Sequence, residues 1–135
     1  MTAETKRVTL HWTGDLVFRG EAGGHETTID GDNATAPGPM LQLLLAVGSC
    51  TGSDVVHILS KMRVPPRQLR VEVAGTRREE EPRRYTAIHL DYHLSGEGID
   101  EARARRSIEL SLEKYCSVLN SLAPDIRITY ALALG

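Results

Sequence analysis

The alternation of apolar and polar residues near the N-terminus predicts a small antiparallel sheet. Residues 8–12 alternate like a strand with one covered face, residues 16–18 repeat the pattern, and residues 25–30 suit a third strand. Turn-forming residues lie between these segments, at positions 13–15 and 21–24. Because the connections are short, we expect the three strands to form a meander.

A long helix is predicted over residues 40–62, with a length of about 34 Å. Its apolar residues form two stripes at helical spacing, and a helix that is apolar on two sides has to be covered on both. A single sheet covers one side. A second copy of the chain would cover the other, which predicts a homodimer with buried central helices; alternatively, loops and a second helix suffice. The two stripes are Leu41, Leu44, Leu45, Gly48, Gly52, Val55, Val56 and Leu59, and Leu43, Val47, Cys50 and Ile58.

A charged hairpin is predicted after Pro65-Pro66, the proline pair that ends the first helix. Residues 69–73 and residues 88–94 alternate between apolar and polar, as two strands would. The segment between them, residues 77–84, consists almost entirely of charged residues. We interpret it as the solvated tip of the hairpin.

A second, amphipathic helix and a final strand complete the chain. The helix is predicted over residues 100–115 and the strand over residues 126–134. The order βββ-α-ββ-α-β indicates one α+β domain over residues 1–135, in which two helices pack on a largely antiparallel sheet. The inner stripe of the second helix is Ala104, Ile108, Leu112 and Tyr115.

Composition and charge narrow the classes of function. The 135 residues include 16 basic and 18 acidic side chains, a net charge of -2, which gives no electrostatic reason to expect nucleic acid or an anionic membrane as a partner. The N-terminal residues lack the apolar core of a signal peptide, and the strongly apolar residues 40–47 are too few to span a bilayer. We therefore expect a cytoplasmic protein whose two cysteines are reduced at rest.

Cys50 is the strongest candidate for chemistry, because small residues surround it in the middle of the apolar helix. Residues 48–53 have the sequence Gly-Ser-Cys-Thr-Gly-Ser. Such residues are poor helix formers, yet they leave room for another group to approach the sulfur. A free cysteine is also a common small core residue, so packing is the simpler alternative. Since Cys50 lies beyond the first turns of the helix, activation of its thiol would need a nearby cation or hydrogen-bond donor.

Two other groups of residues offer chemistry. Asp54 and His57 follow the first cysteine at helical spacing and suggest a Cys-His-Asp nucleophile, although seven residues of helix separate cysteine and histidine by about 10 Å. The alternative for Asp54 is a satisfied polar group in the core or at a dimer contact. His89, Asp91 and His93 share one face of a strand, where they would either bind zinc or face solvent.

The segments PGPMLQLLLAVGSCTGSDVVHIL and EKYCSVLNSL resemble the OsmC/Ohr family of small bacterial thiol proteins. The likeness extends over nearly the whole chain, from the N-terminal meander to the final strand. The resemblance implies an intertwined α+β homodimer with active sites at its interface, and an enzyme that reduces organic hydroperoxides. Carried over to this chain, Cys50 would be the peroxidatic cysteine and Cys116 the resolving one.

The chain differs from the Ohr-type pattern at three positions. Ohr-type members have a glutamate just after the proline that leads into the first helix, whereas this sequence has Pro39-Met40-Leu41-Gln42. The arginine that pairs with that glutamate is absent from the first turn, and the nearest arginine is Arg19. Ser117, instead of a proline, follows the second cysteine. The chain is therefore similar to a divergent OsmC-like branch, with Arg19 and Gln42 as supporting site candidates.

These features together predict a thiol peroxidase in oxidative stress defence. An organic hydroperoxide would oxidise Cys50 to a sulfenic acid, Cys116 would form a disulfide with it, and an external dithiol would reduce that disulfide. Apolar neighbours such as Trp12 would favour organic peroxides. The scheme needs no cofactor and no metal. The alternative is a non-catalytic module that senses redox state or binds a small molecule.

Overall fold

The six strands form two three-stranded sheets in the computed structural model, which describes residues 2–135. The element order and the α+β class are confirmed, and three of the four strand pairs are antiparallel. The strands divide between two sheets instead of sharing one. The strands are β1 Thr9–Gly14, β2 Val17–Ala22, β3 His25–Asp30, β4 Gln68–Arg77, β5 Tyr85–Ser95 and β6 Arg127–Leu134, and the helices are α1 Pro39–Lys61 and α2 Glu101–Leu110.

The first of two compact units ends at Leu43 and contains the predicted meander β1-β2-β3. A two-residue turn joins β2 to β3, and its residues Gly23 and Gly24 have φ of 56° and 80°, the positive angles that a type I′ turn requires. Large apolar side chains of this unit remain exposed, among them Leu10 and Trp12. An uncovered apolar surface of this kind is typical of an interaction site.

A buried carboxylate organises the loop between β3 and α1. Asp30 accepts hydrogen bonds from the backbone N–H groups of Asp32, Ala34 and Thr35 and from the Thr35 hydroxyl. These bonds, chiefly those from the N–H groups of Thr35 and Asp32, lower the pKa of Asp30. The ordered loop leads into α1 at Pro39, and proline is favoured at the start of a helix.

The second unit, Leu44–Gly135, contains the sheet β4-β5-β6 with β5 in its centre. β4 and β5 form the predicted hairpin, and β6 lies parallel to β5 because α2 and the turns after it return the chain to the same end of the sheet. The alternation expected along β5 is present, since its apolar residues are buried. The buried core residues are Val47, Val55 and Leu59 on α1, Tyr85, Ile88, Leu90, Tyr92 and Leu94 on β5, and Ala104 and Ile108 on α2.

Two glycines bring α1 close to β4. A Cβ atom at Gly48 would lie 3.0 Å from a methyl group of Val73, and one at Gly52 would lie 3.7 Å from a methyl group of Val71. Small side chains at these positions therefore allow the helix to pack closely on the sheet. The sequence predicts both glycines on an apolar stripe of the helix and room for a reactant beside Cys50, but it does not predict this close approach to β4.

The other side of α1 is exposed and partly apolar. Leu45 and Val56 on this side are 58% and 41% exposed. With 23 residues, α1 is also long and apolar enough to cross a membrane, a criterion that core helices of water-soluble proteins meet as well. The expectation that this segment is too short for a bilayer considered residues 40–47 alone and does not hold for the whole helix.

The second helix changes its winding before it reaches Cys116. Asp100 caps its N-terminus, regular α-helix ends at Leu110, and a π-helical turn follows over Ser111–Tyr115. The predicted helix is therefore wrong in its last turn. A π-helical turn adds one residue before the chain returns to the same face. Tyr115, which was assigned to the inner stripe, is consequently 49% exposed, and Cys116 is buried instead.

Candidate functional site

The structure brings both cysteines together with one carboxylate. The sulfur atoms of Cys50 and Cys116 and a carboxylate oxygen of Asp54 all lie within 4.8 Å of one another. Cys50 and Asp54 share a face of α1 because they are four residues apart, and Cys116 directly follows the π-helical turn. Both cysteines are free thiols, of which Cys116 is buried and Cys50 half-buried. Cys50 is therefore the sulfur that a small reactant reaches more readily.

The environment of Cys116 keeps its thiol protonated. Burial is the main cause that raises the pKa of Cys116 to about 11, and the neighbouring Cys50 sulfur and Asp54 carboxylate act in the same direction. A hydrogen bond from the backbone N–H of Leu119 acts against them. A thiol with such a pKa becomes a nucleophile only when another group removes its proton.

A chain of hydrogen-bonded side chains ends on Asp54. The hydroxyl of Ser111 donates to Asp54 Oδ2 at 2.8 Å. Thr51 Oγ1 lies 2.7 Å from the Ser111 hydroxyl and 2.8 Å from the Tyr92 hydroxyl. Because Ser111 gives its one hydroxyl hydrogen to the carboxylate, Thr51 has to donate to Ser111, and Tyr92 to Thr51. Burial raises the pKa of Tyr92 to about 12, so the first donor of the chain keeps its proton.

The hydroxyl chain was not predicted from the sequence. Its three hydroxyl residues are Thr51, Tyr92 and Ser111, and all of them are buried. They lie on α1, on β5 and in the π-helical turn, so only the tertiary fold brings them together. The available signal was the presence of hydroxyl side chains at buried positions of otherwise apolar stripes, since buried polar groups need partners.

The supporting candidates Arg19 and Gln42 belong to the first unit. Arg19 donates hydrogen bonds to the carboxylates of Glu21 and Glu26 within the meander, and these bonds raise the pKa of the arginine. The Gln42 amide donates at 3.4 Å to two backbone oxygens of its own unit. The roles of both residues towards the thiols stay predictions.

The histidines that suggested other chemistry do not belong to the group formed by the two thiols and Asp54. His57 is exposed on α1 and has no part in the hydroxyl chain. On the half-exposed face of β5, His89 Nε2 lies 3.3 Å from Asp91 Oδ1. His93 Nε2 lies 3.9 Å from Oε1 of Glu72 on β4. These residues share one face of the strand, as the spacing indicates.

The thiol pair and Asp54 form one compact group of side chains. Within residues 2–135, Cys50, Asp54 and Cys116 are the one set of three cysteine, histidine or acidic side chains whose sulfur, nitrogen or oxygen atoms all lie within 4.8 Å of one another. The same proximity suits thiol–disulfide chemistry, because a small movement would join the two sulfurs.

The part of the chain that contains this site matches a known family. The family model for OsmC-like protein covers residues 30–131, which includes both cysteines and Asp54. The chain belongs to the OsmC-like family. Protein YhfA of Escherichia coli K12 is 40% identical to this OsmC-like chain over 124 residues, which are 90% of the chain and 92% of YhfA.

Solved structures show the same OsmC-like fold. A hypothetical protein from Aquifex aeolicus VF5 matches with a TM-score of 0.87 at 32% identity, over 98% of this chain and 99% of that protein. The organic hydroperoxide resistance protein OhrB of Bacillus subtilis matches with a TM-score of 0.65 at 14% identity, over 96% of this chain and 98% of OhrB. The likeness to OhrB is one of fold alone.

Proposed function

We propose that this OsmC-like protein is a thiol peroxidase that reduces organic hydroperoxides with Cys50 and Cys116. The observation that carries the proposal is the proximity of a half-buried and a buried free thiol, whose sulfur atoms lie within 4.8 Å of each other. Two thiols so placed are poised to form a disulfide, because little movement is needed to reach bonding distance. The fold shared with an organic hydroperoxide resistance protein supports the choice of substrate class.

The proposed reaction has three balanced steps. The Cys50 thiol releases its proton, and its sulfur attacks the outer peroxide oxygen. The O–O bond breaks, the sulfur is oxidised to a sulfenic acid, and the alkoxide takes up one proton and leaves as an alcohol. The sulfur of Cys116 then attacks Cys50, and the disulfide forms as water leaves. An external dithiol reduces the disulfide by exchange and restores both thiols.

A homodimer in the cytoplasm is part of the proposal. The exposed apolar residues Leu45 and Val56 on α1, and Leu10 and Trp12 on the meander, are the surfaces that a second copy would bury. Burial of apolar surface is the main source of association energy in obligate dimers. A covered α1 would place Cys50 in apolar surroundings, which favour an organic peroxide over hydrogen peroxide.

The test is stoichiometric oxidation followed by turnover. One equivalent of cumene hydroperoxide should remove both thiols of the reduced protein, and a non-reducing digest should link the Cys50 and Cys116 peptides. Cys116→Ser should accumulate a sulfenic acid that dimedone traps on Cys50, and Cys50→Ser should leave Cys116 reduced. Survival of both thiols in the wild type would overturn the proposal.

A redox-sensing or small-molecule-binding module without turnover is the second candidate. The pairing of Arg19 with Glu21 and Glu26 favours it, because the charge of this supporting candidate is balanced by carboxylates of its own unit. Catalytic consumption of cumene hydroperoxide in the presence of dithiothreitol distinguishes the two functions. A disulfide that forms once without sustained peroxide consumption would support the sensor.

A further inference from the structure

The second step of the proposed reaction needs two proton transfers at one place. The Cys116 thiol has to lose its proton before its sulfur attacks, and burial raises the pKa of that thiol to about 11. At pH 7 only about 1 in 10,000 molecules would carry the thiolate without help. The oxygen that leaves Cys50 would depart as hydroxide, a poor leaving group, unless it gains a proton.

We propose that Asp54 carries the proton in this step. Its carboxylate takes the proton from the Cys116 thiol and passes it to the oxygen that leaves the sulfenic acid of Cys50. The S–S bond forms, the S–O bond breaks, water leaves, and Asp54 ends as a carboxylate, so the step needs no further reactant. The inference rests on the proposed peroxidase function.

Asp54 lies near both sulfur atoms that take part in this step. One of its carboxylate oxygens lies within 4.8 Å of the sulfur atoms of both Cys50 and Cys116. Its position four residues after Cys50 on α1 keeps it on the same helix face. A carboxylate at this position therefore serves the donor and the acceptor of the proton without a large movement.

The surroundings of Asp54 fix its orientation while leaving it unpaired by any cation. Ser111 donates to Oδ2, and the hydroxyls of Thr51 and Tyr92 continue the chain behind it. Within residues 2–135 no basic side chain forms an ion pair with Asp54. The titratable groups that face it are the two thiols and, beyond the two intervening hydroxyls of the chain, Tyr92. A preorganised carboxylate of this kind suits general acid–base catalysis.

The experiment isolates disulfide closure from peroxide attack. Reduced protein is mixed rapidly with one equivalent of cumene hydroperoxide, and the decay of the dimedone-reactive sulfenic acid is followed from pH 6 to pH 9. At pH 7 we expect closure to be on the order of 100-fold slower in Asp54→Asn than in the wild type. In the variant the rate of disulfide formation should rise about tenfold per pH unit, because only ionised Cys116 reacts. In the wild type the same rate should rise less steeply with pH.

Two further variants separate proton transfer from a structural role. In Asp54→Ala, added formate should restore closure in a saturable manner, since it supplies a carboxylate to the space left by the side chain. Glu113→Gln removes an exposed acid from the π-helical turn and should leave closure unchanged.

The outcomes also separate this inference from the proposed function. Sulfenic acid that forms in the wild type, with equal closure rates and equal pH slopes in Asp54→Asn, would overturn the inference alone. A rate of disulfide formation in the wild type that rises tenfold per pH unit would also overturn the inference alone. This measurement uses only the wild-type protein, so it does not depend on whether a variant folds. Absence of sulfenic acid in the wild type would overturn the peroxidase proposal, and the inference with it.

Discussion

The backbone N–H of Cys116 donates a hydrogen bond to the carbonyl oxygen of Ser111, five residues earlier, at 2.7 Å. This is the hydrogen bond of a π-helical turn, and it returns Cys116 to the buried face that an α-helix would have given to Tyr115. The side chain of Ser111 donates to Asp54. One local change of winding thus positions the second thiol and orients the carboxylate beside it.

Alkylation of the reduced protein should distinguish its two thiols. Because burial raises the pKa of Cys116 to about 11, only about 1 in 1,000 of its thiols is ionised at pH 8. Iodoacetamide at pH 8 should therefore label Cys50 first, and the rate at Cys116 should keep rising about tenfold per pH unit up to pH 10. Peptide mass analysis over a time course measures both rates. A plateau in the Cys116 rate below pH 9 would contradict the prediction.

The reduced protein should lose stability as the pH rises above 9. The pKa of Cys116 is raised from 9.0 in the unfolded chain to about 11 in the fold, so the unfolded state releases a proton over this interval that the folded state retains. Stability then falls with increasing pH, because the folded state binds more protons than the unfolded one. Urea midpoints from pH 8 to pH 10.5 measure the slope. Cys116→Ala should show a shallower decline, and an identical slope would count against this origin.

Thr51→Val should destabilise the fold while preserving the shape of the side chain. It removes the hydroxyl that accepts from Tyr92 and donates to Ser111. A buried Tyr92 hydroxyl left without a partner costs about 1–3 kcal/mol, which urea denaturation measures. Addition of Tyr92→Phe should recover part of the loss, because it removes the unsatisfied group.

Ser53→Ala is the matched control for the hydroxyl chain. Ser53 is an exposed residue of α1, and its hydroxyl donates only to the backbone oxygen of Ser49. Its loss should change stability by less than about 0.5 kcal/mol. Equal effects of Thr51→Val and Ser53→Ala would show that the buried chain contributes nothing beyond an ordinary surface hydroxyl.

Alanine at the two glycines of α1 should have different effects on stability. Gly52→Ala adds a Cβ at 3.7 Å from its nearest neighbour, an ordinary contact, so the better helix propensity of alanine should stabilise by about 0.5–1 kcal/mol. Gly48→Ala adds a Cβ at 3.0 Å from Val73, and this crowding should remove the gain. A second substitution, Val73→Ala, should relieve the crowding in the Gly48→Ala variant, because it removes the methyl group that the added Cβ meets. Equal stabilisation by both alanines, measured by thermal unfolding, would contradict the close packing of α1 on β4.

The fold was predictable because periodicity in the sequence follows burial. Leu90 and Tyr92 alternate with polar residues and are buried on β5, and the class, element order and OsmC-like resemblance are confirmed. The winding after Leu110 was not predictable, because a π-helical turn differs from an α-helical one by a single residue and has no local composition of its own.

The site was predictable only in part. The sequence shows which side chains can react, but it does not show which of them the fold brings together. Cys50 was recognisable from its small neighbours, but they also serve packing on β4. For Asp54 the sequence indicates a nucleophile partner or a satisfied polar group in the core or at a dimer contact, but not its proximity to the second cysteine, which is a tertiary contact. Thr51 and Ser111 lie among apolar residues, which signals burial, but their partners were not predictable, because the hydrogen bond between them joins elements that only the fold brings together.

Light scattering should give about twice the chain mass of 14.8 kDa, because the proposed homodimer covers the exposed side of α1. Leu45 on that side is 58% exposed, so Leu45→Glu should leave the chain folded by circular dichroism while a buried charge at the interface drives it towards monomer. Arg83→Glu, at the exposed hairpin tip, changes charge away from this surface and should remain dimeric. A wild-type protein that stays monomeric at micromolar concentration would remove the second copy from the proposed site, and the half-buried Cys50 would then meet its peroxide from open solvent.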